Sequence, residues 1–413
     1  MTLLTNLPVA SDKRVAVHIT NDALRHVRGG HPWIWDGSIV RTSHDGRPGD
    51  LAVVFDDKRN FAAIGLWDPT APIAVRILHH GSPENIGADF FANQILNSYA
   101  RRQVLHDDPR TTGYRLIHGE NDALPGLVVD RYADTLVVKL DSPVWVPHLR
   151  TILEPIADLA DAERVVLRAS RRISQQLPQQ LLGSPTILGT KPDGLIRFLE
   201  NELAFDADVE QGQKTGHFLD QRDNRRLLGD RCHDATVLDV FCNTGGFSVY
   251  AAAGGARSVH SVDVSKHAIA AASHHVELNR EARGFKAEHT TQVADAFDAM
   301  DDLIDRGRRF DIVIVDPPTF APNTAAVPAA LHAYRRLTAA AVDLLAPGGT
   351  LLQASCSSRI EASEFHDLIN DEVASSGRRI INPIRTQHAL DHPISFDQGA
   401  YLKALLAEVI PAD

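Results

Sequence analysis

Three loops in the C-terminal half of this 413-residue chain carry residue types from which a group-transfer site can be built. The first is Asp239-Val240-Phe241-Cys242-Asn243-Thr244-Gly245-Gly246, an apolar strand that runs into a glycine pair. Two glycines at a strand-to-helix turn let a ligand approach backbone N–H groups, and the helix N-terminus behind them supports polar groups. About one βαβ unit later comes Asp263-Val264, where a carboxylate can accept from two ribose hydroxyls. Asp295-Ala296, at the end of a third strand, is placed to reach an adenine amino group. A dinucleotide would require GxGxxG, because its pyrophosphate lies against the turn, and CNTGGF lacks that fingerprint. S-adenosylmethionine has no phosphate, and Asp239 suits the ammonium of its amino-acid part. Asp263 alone would say little; the ordered set implies S-adenosylmethionine.

The second and third loops supply chemistry. Asp316-Pro317-Pro318-Thr319-Phe320 follows an apolar run, and the proline pair stiffens the backbone, fixing the Asp and exposing peptide carbonyls. Asp-Pro-Pro followed directly by an aromatic suits methylation of base amino groups, but here Thr319 intervenes and the ring moves to Phe320. The third loop, Ala354-Ser355-Cys356-Ser357-Ser358, puts a thiol where it would face a methyl group. C5 of a pyrimidine is a poor nucleophile until a thiolate adds at C6, which gives Cys356 a nucleophilic role. Cys242 is expected to be packing and Cys232 an incidental loop residue.

These loops need one sheet edge. From Thr236 onward strand-like and helix-like stretches alternate, as in a parallel α/β sheet. Strands are expected at Thr236–Phe241, Ser258–Asp263, Ala287–Val293, Asp311–Asp316, Thr350–Ala354 and Tyr401–Ile410. Ligands bind outside the carboxyl ends of such strands, at a switch point. The first ~80 residues read instead as short β segments with turns, a small barrel-like module. Helical spacing from Asp89 to His106, hairpin strands Leu127–Asp130 and Thr135–Leu140, and a Gln/Pro/Gly-rich loop at Ser174–Asp193 fill the middle.

Apolar residues make up 44% and charged residues 23%, ordinary globular values. Three cysteines and no CxxC argue against a disulfide framework or structural zinc, so no metal is expected. No apolar run spans a membrane, no secretory pattern opens the chain, and a cytoplasmic location follows as the expectation. The net charge of −11 counts mildly against a nucleic-acid partner. Arg101-Arg102, Arg171-Arg172, Arg225-Arg226 and Arg335-Arg336 are the candidate basic patches, although paired arginines are more often solvated faces.

At these residues the chain resembles the class I 23S ribosomal RNA large-subunit methyltransferases related to the cytosine-C5 enzyme of the RlmI type. Gly29-Gly30-His31-Pro32-Trp33-Ile34-Trp35 resembles their PUA module, a small RNA-binding barrel. Residues 119–132 (GENDALPGLVVDRY) resemble the central-domain hallmark, and residues 213–225 (QKTGHFLDQRDNR) resemble a highly specific signature. Asp391-His392-Pro393 and Tyr401-Leu402-Lys403 match the C-terminal motifs. The resemblance implies an α/β fold: a Rossmann-like methyltransferase domain (201–413) with a doubly wound, mostly parallel seven-stranded sheet. A small α+β domain (81–200) and a β-barrel PUA domain (1–80) precede it. It implies ribosomal RNA as partner, with self-association into a homodimer left open. By similarity, Lys214, Thr215, Phe218, Gln221 and Arg222 close over the cofactor or shape the substrate cleft. Tyr334-Arg335 falls near the RNA, as do Pro318, Phe320, His31 and Trp33.

Three positions depart from the family pattern: Thr319 stands where Lys is common, Ala123 replaces a Gly, and 321–330 is Ala/Pro-rich. No Cys follows Pro317, so a base other than a second thiol must take the C5 proton, and Asp316 is the candidate. Cytosine-C5 methylation through Cys356 is the leading expectation. Methylation of another base atom such as guanine N2, or a non-catalytic RNA-binding assembly factor, are the alternatives.

Overall fold

The computed structural model describes residues 7–412 apart from 170, 183, 184 and 213. The chain divides into two compact units. The first holds the chain to Leu199 together with Asp206–His217 and Asp391–Phe396; the second holds Glu200–Phe205, Phe218–Leu390 and the C-terminus from Asp397.

In the first unit, strands β1 (Val15–Ile19), β2 (Trp33–Trp35), β3 (Ile39–Thr42), β4 (Leu51–Phe55), β5 (Phe61–Trp67) and β6 (Ile73–His80) form one sheet. Its order is β2-β6-β5-β4-β1-β3, with β1 and β4 parallel and the other pairs antiparallel. A second sheet follows, from β7 (Gly113–His118), β8 (Leu127–Tyr132), β9 (Thr135–Leu140), β10 (Arg164–Ala169) and β11 (Thr186–Leu188), in order β11-β10-β9-β8-β7. Helices Ala88–Arg101 and Leu149–Leu159 bury Phe91, Ile95, Ile152 and Ile156 in a core that also takes in Ile64, Leu66 and Leu78 of the first sheet. Within the Ser174–Asp193 stretch, expected to be loop, the described residues include the short helix Gln179–Leu182 and β11.

Polar groups inside this unit are paired. Asp122, in the turn of the central hallmark, accepts from Arg101 at 3.0 Å, from both arms of Arg102 at 2.9 and 2.7 Å, and from the His118 amide. Arg102 also donates to the Asp391 carbonyl. Arg115 grips Asp130 with two bonds, at 2.7 and 2.9 Å, while Thr215 donates to the same carboxylate. Ala123 closes the turn at φ 57°, a left-handed conformation that explains the Gly common there and costs an alanine roughly 1 kcal/mol.

The hairpin of β12 (Ile196–Glu200) and β13 (Leu203–Ala207) precedes the sheet of the second unit. That sheet comprises β14 (Thr236–Val240), β15 (Ser258–Asp263), β16 (Glu288–Val293), β17 (Phe310–Val315), β18 (Leu345–Ser355), β19 (Arg378–Thr386) and β20 (Lys403–Pro411). The order β16-β15-β14-β17-β18-β20-β19 is 3-2-1-4-5-7-6 when the seven are counted along the chain. The first five strands pair in parallel, whereas β20 runs antiparallel to both β18 and β19. Leu238, Val240, Val313, Val315 and Leu351 pack one face against helices Val327–Leu344 and Ala362–Ser375. Strand runs of this kind suit a parallel sheet covered on both sides. β2, β7 and β19 were not among the strands expected from pattern.

Arg225, on helix Arg222–Gly229, is buried and holds Glu200 with two bonds, at 2.8 and 2.6 Å. Removing one partner leaves the other charge without compensation inside the protein. Arg225→Met is therefore expected to lower unfolding free energy by about 3–5 kcal/mol. Thermal or denaturant unfolding checks this, and the double variant Glu200→Leu/Arg225→Met is expected to recover most of the loss.

Candidate functional site at the carboxyl rim of the sheet

Parallel register carries the ends of β14, β15, β17 and β18 to one side: Val240 lies opposite Val262 and Val315, and Val315 lies opposite Gln353. The switch point falls between β15 and β17, on either side of β14. The loop after β14 turns sharply, with Phe241 at φ 62°, Asn243 at 48° and Gly245 at 78°. A Cβ on Gly245 would stand 2.7 Å from Ala272 Cβ, and one on Gly246 3.0 Å from Arg225 Cδ. The two glycines therefore let helices Lys266–Arg283 and Arg222–Gly229 close onto the turn. The Thr244 carbonyl faces His275 Nδ1 at 2.8 Å.

Asp239 is buried beneath this turn. Ser248 donates to its Oδ2 at 2.6 Å, Ser248 meets Ser261 at 2.7 Å, and Ser261 meets His289 Nε2 at 2.8 Å. With Asp239 ionised, the chain has one consistent polarity: Nε2–H to Ser261, Ser261 to Ser248, Ser248 to carboxylate. Oδ1 is buried and has no partner among the described residues. Burial pushes this carboxyl up to about 7, and the charges of Asp316 and Asp263 push the same way. An unpaired buried carboxylate oxygen among acidic neighbours fits a cation, so the donor's ammonium suits this position.

Asp263, at the end of β15, is oriented by two amides, Asn243 N–H on Oδ2 at 2.9 Å and Ser265 N–H on Oδ1 at 2.8 Å. Both bonds come from flanking loops, so the carboxylate faces the rim at the distance along the chain expected for ribose. Val264 beside it is largely exposed. Asp295 caps helix Ala296–Asp305, its Oδ1 accepting from Phe297 N–H at 2.9 Å, and Ala296 is buried. Capping accounts for the Asp295 side chain without any ligand.

Asp316 is half-buried and Pro317 buried, while Pro318 and Thr319 are exposed. Thr319 Oγ1 lies 3.0 Å from Cys356 Sγ, which also sits 3.9 Å from the Pro317 carbonyl. The Asp-Pro-Pro loop and the thiol loop thus meet. The threonine at the family's lysine position makes a contact with the thiol. Phe320 is half-buried against Tyr334, ring centroids 5.2 Å apart, and nears Phe241 at 6.4 Å.

Tyr334 corrects an expectation. It is fully buried, donating to Ser355 Oγ at 2.9 Å with Ser357 Oγ at 3.3 Å, so its side chain braces the thiol loop and cannot touch RNA. Burial raises its hydroxyl to about 12. Arg335 is partly exposed and 3.7 Å from Glu372.

Gln221 and Arg222 belong to the same unit and are buried, Gln221 accepting from Asn224 and Arg222 donating to Asp223 at 3.3 Å. Lys214, His31 and Trp33 belong to the other unit. Lys214 is exposed, with φ 51°. His31 and Trp33 form an aromatic cluster with Phe396, rings 5.3–6.3 Å apart, and Trp33 donates to Glu120 at 2.8 Å. Of the described arginine pairs, Arg101, Arg226, Arg335 and Arg336 are exposed and Arg102 and Arg225 are buried. Arg102 and Arg225 are consumed by buried carboxylates, Arg336 stacks over Phe297 at 4.4 Å, and the Arg171-Arg172 side chains lie outside the described residues. Cys232 and Cys242 are buried thiols that burial raises, Cys232 to about 12. Cys232 is thus a core residue rather than an incidental one.

Motif reading showed no sign of Ser248, Ser261 and His289, and assigned no role to Ser355, Ser357 and Lys403 although the motifs contain them. For Ser261, His289, Ser355 and Lys403 the signal was a polar residue within a strand.

A 3-2-1-4-5-7-6 sheet whose strand ends carry an acidic rim beside a glycine turn defines a Rossmann-like transferase fold. A family model described as S-adenosylmethionine-dependent methyltransferase matches residues 115–407, and a PUA-like domain model matches 17–80. A ribosomal RNA large subunit methyltransferase of Deinococcus radiodurans is 41% identical over 97% of this chain and 99% of its own. Ribosomal RNA large subunit methyltransferase I of Shewanella amazonensis is 36% identical over 92% and 95%. A solved candidate S-adenosylmethionine-dependent methyltransferase from Streptococcus mutans superposes with TM-score 0.80 at 21% identity, covering 95% of this chain and 99% of its own. The chain belongs to the S-adenosylmethionine-dependent methyltransferase family, in the branch of these large-subunit relatives. Among the described residues no helix is long and apolar enough to cross a membrane, and no group of His, Cys, Asp and Glu is set to hold a metal.

Because an ammonium pairs with an ionised carboxyl, donor affinity should fall through the Asp239 titration. Below about pH 7 it is expected to drop toward ~10-fold per unit, with a proton released on binding, and to level off above. Calorimetry in buffers of different ionisation enthalpy measures both. Asp239→Asn is expected to weaken binding and abolish the slope.

Proposed function

We propose that this protein methylates large-subunit ribosomal RNA at C5 of a cytosine, with Cys356 as the covalent nucleophile. The observation that carries the reading is the meeting of the Cys356 thiol with the Asp-Pro-Pro loop, Sγ 3.0 Å from Thr319 Oγ1 and 3.9 Å from the Pro317 carbonyl. The thiol sits at the carboxyl end of β18, two strands from the β14 glycine turn. The RNA substrate is supported by the names that the relatives carry over nearly the whole length of the chain.

S-adenosylmethionine supplies an electrophilic methyl carried on a sulfonium. Asp239 and Asp263 hold its ammonium and ribose, with the turn Asn243–Gly246 closing against it and Asp295-Ala296 at the adenine end. Gln221 and Arg222 support that turn through the helix that Arg225 packs onto Gly246. Pro317 and Pro318 present backbone carbonyls to the base amino group, and Phe320 flanks the base. Cys356 Sγ bonds to C6, and the C5–C6 π pair moves to make C5 an enamine nucleophile. After methylation at C5, Asp316 takes the C5 proton. The electrons of that C–H bond restore C5=C6 as the S–C6 bond breaks and the thiolate leaves. The net change is a methyl for a proton. His31, Trp33 and Lys214 of the first unit, and Arg335 of the second, are the residues assigned to RNA contact.

Methylation of large-subunit RNA by the purified protein, followed by nuclease digestion and mass spectrometry, is expected to yield 5-methylcytidine. Methylguanosine instead would overturn the assignment in favour of amino-group chemistry. Cys356→Ala is expected to keep donor affinity and lose methylation by about 10³-fold or more, the scale of removing a covalent nucleophile.

A further inference from the structure

One buried charge has no part in the steps above. Lys403 opens β20, pairs in register with Ser355 of β18, and is almost wholly shielded from solvent. Its Nζ donates to the carbonyls of Ser357, Ile360 at 2.7 Å and Tyr401 at 3.3 Å. An ammonium has three donors, and three carbonyls take them all. Two of those carbonyls belong to the turn that begins with Cys356, one of them in the very next residue. No carboxylate is among the three, so carbonyl dipoles solvate the positive charge, which also feels Cys356 and Glu361.

We infer that Lys403 is a positioning residue for Cys356: it pins the 356–360 turn from below and its charge favours the thiolate. This rests on the reading of Cys356 as nucleophile and deepens it. Burying an ammonium costs several kcal/mol unless hydrogen bonds and an opposite charge offset it. The three carbonyls supply the first, and a thiolate supplies the second. Burial pulls the amine down to about 8, with the charges of Cys356 and Glu361 opposing, so it stays mostly cationic at pH 7. Other ionisable groups surround the pair. His366, from helix Ala362–Ser375, is held below its ordinary value by burial, with the Lys403 charge acting in the same direction. Asp316 and Tyr334 lie on the thiol side, where a negative Asp316 opposes thiolate formation and Tyr334 stays neutral. Lys403 is thus the cation that offsets the acidic rim where a second negative charge must form. Thr319 complements it from the exposed side, with its hydroxyl on Sγ.

The test is the pH profile of Cys356 alkylation by iodoacetamide in the full chain, read peptide by peptide, with buried Cys232 and Cys242 as internal controls. The native midpoint is expected below the ordinary thiol value of about 8.5. In Lys403→Met it is expected to rise by about one unit, slowing alkylation at pH 7 by about 10-fold. The same variant should lower kcat by a similar factor while leaving KM for RNA and donor affinity unchanged; Lys403→Arg should restore most of both. A merely structural lysine would move stability and leave the midpoint where it was, and that result overturns the inference. Should Lys403→Met not fold, the native profile decides alone, since a midpoint at or above about 8.5 also overturns it. Methylation surviving in Cys356→Ser would end the nucleophile reading while leaving the alkylation midpoints standing. The two failures are therefore distinguishable.

Discussion

Parallel pairing of β15, β14, β17 and β18 is the constraint from which the rest of the rim follows. Each strand in a parallel sheet must return through a crossover, so every strand end opens into a loop on the same side. Asp239, Asp263, Asp316 and Cys356 lie far apart in sequence yet share that side. Reversal of strand order at β14 then leaves a crevice at the β14 and β17 loops, because the crossovers on its two sides run in opposite directions. Gly245 and Gly246 take part in the same packing, because side chains there would strike Ala272 and Arg225. One arrangement thus sets both the helix positions and the shape of the turn.

Much of this was legible in sequence, and the pattern of what was not has a physical basis. Strands Thr135–Leu140 and Ser258–Asp263 fell where their apolar runs placed them, since burial imposes period and composition together. β19 (RRIINPIRT) sits at a sheet edge, mostly partly exposed, and its composition resembles a loop. β2 has three residues, too few for any period to register. β7 carries Arg115 and His118 among its apolar residues, because the Arg115 guanidinium binds Asp130 and lies 3.1 Å from His118 Nδ1. Local pattern cannot distinguish such a strand from a turn. The partners that would reveal it lie up to 276 residues away, as with the Arg115 amide and Asp391.

The arginine pairs show the same limitation from the opposite side. Arg102 and Arg225 sit in dipeptides that composition treats as solvated, yet each is buried against a carboxylate contributed by a distant segment. In both pairs the other arginine, Arg101 or Arg226, is exposed, so the dipeptide spans the boundary between core and water. The family resemblance placed Tyr334 with Arg335 near the RNA, yet Tyr334 is buried and Arg335 exposed. Along a helix, neighbours differ by about 100° in direction, and one of two adjacent residues can face the sheet while the other faces solvent.

Polarity across the rim ties the acidic half to the thiol half. On the β14–β15 side the carboxylates of Asp239 and Asp263 are held by amides and hydroxyls, with no described arginine or lysine on either carboxylate. Such a cluster raises its own ionisation cost, as Asp239 shows, and that cost falls when a cation arrives. On the β18–β20 side the arrangement is reversed: a buried ammonium sits among carbonyls, and its cost falls when an anion forms. Under the proposed function, a cationic methyl donor and an anionic thiolate would answer these two half-sites in turn. A site of uniform sign would serve one of them and oppose the other. In that proposal the two opposite desolvation penalties sit at the same edge of one sheet, with the β17 loop between them.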